Sequence, residues 1–123
     1  MSTRTEQIQK LLKSLSTTTP DVEGTALIDN DGLMIASSLG ADLDEDSVAA
    51  MTAALLGLGE RIVEELQRGD FQMVMIRGSV GFVIMTRCGP DAVLACLTSR
   101  NAKLGLVFLD LSRTARELSR LLG

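Results

Sequence analysis

The sequence predicts an α+β fold: a three-layer sandwich in the order α-β-β-α-β-β-β-α, with a five-stranded antiparallel sheet covered by helices on both faces. Three observations predict it. Apolar residues recur at helical spacing in three segments and crowd into β-rich runs in five others, with Gly, Pro, Asn and Asp between them. Two of the runs, Val83-Ile84-Met85 and Val93 to Leu97, are nearly unbroken, as strands covered on both faces are. The 123 residues contain no linker, internal repeat or low-complexity stretch, which suits one domain over residues 1–123.

The first helix is announced by Thr3-Arg4-Thr5-Glu6, a capping box in which side chains satisfy amide protons left over at a helix start. Ile8, Leu11, Leu12 and Leu15 share one face, and the polar run Ser16 to Thr19 before Pro20 ends the element. Glu23 to Ile28 and Leu33 to Ser38 read as a hairpin around Asp29-Asn30-Asp31-Gly32, residues that tolerate positive φ. A calcium loop would need a third acidic ligand and a terminal bidentate Glu, and both are missing.

Asp44 is a good N-cap for a long helix from about Glu45 to Gln67, with Glu45 and Asp46 at its positive end and Gly69 as its closing residue. The acidic run Asp42 to Asp46 is therefore read as capping chemistry, with no metal site expected. Phe71 to Arg77, Val80 to Arg87 and Ala92 to Ser99 form an antiparallel meander around Gly78-Ser79 and Gly89-Pro90-Asp91. The last helix sets Leu104, Val107, Phe108, Leu111, Ala115, Leu118 and Leu122 opposite Arg113, Arg116, Glu117 and Arg120.

Composition excludes several function classes. A net charge of -4 and a pI near 4.7 disfavour nucleic acid, whose phosphates need a basic stripe. Aromatic residues are too few to stack bases. With no His, Trp or Tyr, the chain lacks the commonest general base and transition-metal ligand. No Gly-x-x-x-x-Gly-Lys-Ser/Thr is present, so the chain is not itself a P-loop nucleotidase. Cys88 and Cys96 have no histidine partner and read as reduced packing residues. No catalytic residue and no cofactor are expected. Met1 to Leu15 do not read as a signal peptide and no apolar run is long enough for insertion into a membrane, so the expected compartment is the cytoplasm.

The second helix is apolar on more than one side. Val48, Met51, Leu55, Leu58, Ile62 and Leu66 make one stripe, and Ala49, Ala50, Ala53, Ala54 and Gly57 make another of small residues. If one stripe covers the sheet, the small one is left to receive a second copy of the helix at close range. Alternatively, alanine reflects helix propensity on a solvated face, or the helix lies deep in a monomer. Phe71, Met73 and Met75 favour the dimer, because an apolar edge strand needs something to pair with.

Element order and several motifs together resemble the roadblock / dynein light chain family over nearly the whole chain. The likeness rests on Gly24 to Ile28 with Asp31-Gly32-Leu33, on Ala49-Ala50-Met51 and Ala53-Ala54-Leu55, and on Gly69-Asp70. It continues through Gly81-Phe82-Val83-Ile84, Gly89 to Leu94 and Leu104-Gly105-Leu106. Within that family the chain is most similar to bacterial GTPase regulators of the MglB type. The resemblance implies a profilin/longin-like fold and a homodimer in which second helices pack side by side and third strands pair. It implies a small Ras-like GTPase of the MglA type as partner, in signalling or cell polarity.

On this reading the dimer interface takes Ala50, Ala53, Ala54, Gly57, Arg61, Phe71, Met73 and Met75. Glu60, Glu64 and Arg68, with Arg61 beside them, are the exposed candidates for contact with the GTPase. The competing function is a small-molecule sensor domain, against which stands the scarcity of polar groups in the strands beyond Gln72, Thr86 and Thr98.

Overall fold

Three helices and five strands follow one another in the predicted order in the computed structural model, which describes residues 3–123. Met1 and Ser2, the start of the segment read as no signal peptide, lie outside the described residues. The elements are α1 Arg4–Thr18, β1 Val22–Asp29, β2 Met34–Ser38, α2 Glu45–Glu65, β3 Val74–Arg77, β4 Gly81–Arg87, β5 Ala92–Ser99 and α3 Leu104–Leu122. The sheet is antiparallel throughout, with strand order β2-β1-β5-β4-β3.

α1 and α3 cover one face. Ile8, Leu12 and Leu15 of α1 and Val107, Leu111, Ala115 and Leu118 of α3 bury themselves against Leu27, Ile84, Leu94 and Cys96. α2 covers the other face, with Leu56 over Met85, Val93 and Ala95, and Ala49 over Ala26 and Ile28. Successive residues of β5 therefore point into different cores, which explains its unbroken apolar run. Thr25, fully buried in β1, is satisfied by donating its hydroxyl to the Leu12 carbonyl of α1 at 3.0 Å.

Several boundaries differ from the sequence reading. Thr3 caps α1 by accepting from the Glu6 amide at 3.1 Å, but the Glu6 carboxylate accepts from the Thr3 hydroxyl instead of its amide. The helix runs on to Thr18, with the Thr17 and Thr18 hydroxyls donating back to the Ser14 carbonyl, so the polar run does not break it. Leu33 stays in the hairpin turn, where Asp29 Oδ1 accepts from the Asp31 and Leu33 amides.

β3 begins at Val74, so Phe71 and Met73 precede the strand. α2 ends earlier than predicted, and Gly69 does not close it. Gln67 does, at φ 56°, with the Gln67 amide donating to the Glu64 carbonyl and the Arg68 amide to the Val63 carbonyl. Gly69, at φ 88°, turns the chain again two residues later.

Candidate interaction face

Which side of α2 meets the sheet is decided by close approach. Ala49, Thr52 and Leu56 are buried, and Ala53 packs on the Ala26–Ile28 cluster. One turn further on, a Cβ placed on Gly59 would lie 3.0 Å from Val74 Cγ2 and 3.2 Å from Phe71 Cε1. Small residues thus let the helix settle onto the sheet while Phe71 and Val74 fill the seam beside it.

Most of the large stripe consequently points away from the sheet, Leu55 alone packing on the Leu56 cluster, which corrects the expectation that the stripe could serve as the cover. Met51, Leu58, Ile62 and Leu66 remain 64%, 52%, 49% and 64% exposed. Ala50 and Ala54 are exposed beside them, and around Gly57 a Cβ would meet nothing within 4 Å. Large and small residues therefore share one outward apolar face, a patch of the kind that marks an interaction site.

β3 borders this layer as an edge strand. It pairs with β4 on one side, and its outer edge has no partner strand among the described residues. Met75 and Ile76 are half exposed, on opposite faces. The opposite edge, β2, is blunted by a register irregularity opposite Leu27 and Ile28, so the two edges are not equivalent.

The residues expected at an interface fall into distinct environments. Ala50, Ala54, Gly57 and Arg61 lie together on the outward face of α2, Arg61 pairing loosely with Glu65 at 3.7 Å in solvent. Ala53 turns inward. Phe71 belongs to the α2 core, Met73 packs with the α1/α3 core, and Met75 reaches the surface from β3. Glu64 and Arg68 are exposed near the end of α2.

Glu60 is not a free surface carboxylate as expected. Arg87, at the end of β4, donates to both its oxygens at 2.9 and 2.8 Å. The same guanidinium reaches Asn30 Oδ1 at 2.6 Å and the Pro90 carbonyl at 3.3 Å, and Asn30 Nδ2 donates to Pro90 as well. Hydrogen bonding to Arg87 holds the Glu60 carboxyl below its usual range against the opposing effect of burial. The network ties α2 to two turns at one end of the sheet, and no local pattern announced it.

Both cysteines are free and buried, and burial pushes the Cys88 thiol up to about 11 and Cys96 to about 12. Cys88 donates to the Ala115 carbonyl of α3.

Comparison with known proteins agrees with this architecture. Residues 8–98 match the model of the Roadblock/LC7 domain. The chain belongs to the Roadblock/LC7 family. Among relatives of this Roadblock/LC7 chain, the uncharacterized protein MJ1340 of Methanocaldococcus jannaschii is 32% identical over 111 residues, 90% of this chain and 96% of its own length. Myxococcus xanthus MglB has a similar structure, with a TM-score of 0.87 at 22% identity over 94% of each chain. The likeness extends to Acanthamoeba castellanii profilin II, with a TM-score of 0.63 at 18% identity, covering 94% of this chain and 98% of that one. At these identities the structural matches establish the fold: a Roadblock/LC7 sandwich of the profilin-like type.

Proposed function

We propose that this Roadblock/LC7 chain is a non-catalytic, single-domain cytoplasmic module that pairs with a second copy of itself and, as a dimer, binds and regulates a small Ras-like GTPase of the MglA type. The observation that carries this reading is the outward apolar face of α2 beside the unpaired edge of β3. A second α2 laid against Ala50, Ala54 and Gly57 would approach closely, and two β3 edges would extend one sheet across the pair. Family membership and the MglB-like fold support a GTPase partner. Glu64 and Arg68, exposed near the end of α2, are its candidate contacts, whereas Glu60 is engaged by Arg87. The absence of histidine and the burial of both thiols support a binding role over a catalytic one.

Light scattering coupled to size exclusion tests the reading on the protein alone and with a Ras-like GTPase loaded with a GTP analogue or GDP. A dimer mass that grows only with the GTP form is expected. A monomer indifferent to both forms would overturn it.

A further inference from the structure

The charges of this acidic chain are segregated by layer. Residues 4–20 and 100–123, which carry α1, α3 and their flanks, hold eight of the twelve Lys and Arg but three of the sixteen Asp and Glu. The remaining chain holds four basic residues against thirteen acidic ones. One layer of the sandwich is net positive while the rest of the molecule is strongly negative, a distribution hidden by the overall charge of -4.

The cations stand on the solvent-facing crests. On α3, Leu109, Arg113, Arg116 and Arg120 follow at intervals of four, three and four, opposite the buried Val107, Leu111, Ala115 and Leu118. On α1, Lys10 and Lys13 are exposed opposite Ile8, Leu12 and Leu15. The ion pairs among the described residues involve Arg113 of this set, with Asp110 at 3.5 Å, and leave Lys10, Lys13, Arg116 and Arg120 without a carboxylate within 4.0 Å.

From this geometry we propose that the α1/α3 layer is a docking surface for an anionic lipid bilayer, held at the headgroups by these five cations. Charge complementarity selects an anionic partner, and the relief selects a flat one. The groove between the two helices carries Asp110 and Glu117 beside Arg113, which already pairs with Asp110, so an acidic peptide lying in it would meet two carboxylates for one engaged cation. A sheet of headgroups touches the crests alone. Leu109, 54% exposed among the arginines, meets the headgroup boundary without any element crossing the bilayer. Repulsion of the acidic remainder fixes the orientation and turns the outward face of α2 away from the membrane. The lipid contact uses the layer opposite the α2 face and stands independently of the GTPase reading.

Co-sedimentation of the full chain with vesicles of phosphatidylcholine, alone or with about one third phosphatidylglycerol, tests the proposal. Binding to the anionic vesicles alone is expected, lost at about 0.5 M salt. The variant R116A/R120A is expected to bind at least about tenfold more weakly, while R68A/R77A, with the same change in net charge, stays near wild type. Circular dichroism confirms that both variants are folded. No binding to either vesicle, equal binding to both, or an equal loss in the control variant would overturn the proposal. So would salt-sensitive self-association without lipid that R116A/R120A abolishes, since the patch would then serve a second copy.

Discussion

Arg87 clasps Glu60 with both arms of its guanidinium, at 2.9 and 2.8 Å, across 27 residues of sequence, and fastens α2 to the end of β4. The pair is 29% and 34% exposed, so solvent screens part of its Coulomb energy, and a contribution of about 1 kcal/mol is expected. Glu60→Gln should cost that much in denaturant unfolding at neutral pH. Because the folded-state pKa of Glu60 is depressed, its contribution is present above the unfolded value and is lost as pH falls through the folded one. The gap between wild type and Glu60→Gln should therefore narrow as the pH falls below about 4, and a gap that widens instead would contradict the pairing.

Gln67 holds a left-handed conformation that glycine adopts without strain. Gln67→Gly should stabilise the protein by about 1 kcal/mol and raise Tm by a few degrees. An unchanged or lower Tm would mean that the side chain of Gln67 makes a compensating contact.

Substitutions on the two sides of α2 should separate assembly from folding. Leu58→Glu or Gly57→Arg changes the outward face and should yield a folded monomer, read by light scattering and circular dichroism. Ala53→Arg instead drives a charge toward Ala26 and Ile28 and should lose about 3 kcal/mol or more of stability. A Leu58→Glu variant that stays dimeric would displace the proposed interface.

The buried thiols provide a pH signature. With Cys88 raised to about 11 and Cys96 to about 12 from an ordinary 9.0, both stay neutral in the native state while the unfolded chain ionises. Stability should fall as pH rises above about 9, and neither thiol should react with a water-soluble thiol reagent at neutral pH until the chain is unfolded. Rapid labelling of the native protein would show that one of the two sites opens.

Local sequence was enough for the order of elements and most of their boundaries, because helical periodicity, apolar strands and turn residues act over a few positions. Asp44 illustrates this, since its cap bonds reach no further than Ser47. Gln67 illustrates the limit: glycine two residues later was the better local candidate for closing α2, but the hydrogen bonds to Glu64 and Val63 close it at Gln67. The dual apolar character of α2 and the small-residue stripe were legible as well, so Ala50, Ala54 and Gly57 were readable as candidates for close packing.

Tertiary structure decided which side of α2 is free and which of its charges are engaged. Met51, Leu58 and Ile62 could equally have covered a sheet, and the choice followed from the close seat that Ala49 and Ala53 allow over Ala26 and Ile28 and Gly59 allows beside Phe71 and Val74. Glu60 looked like any solvated helix carboxylate until the fold brought to it Arg87, itself held by Asn30 and Pro90. Composition and periodicity determine what a segment can bury, whereas distance in space determines what it meets.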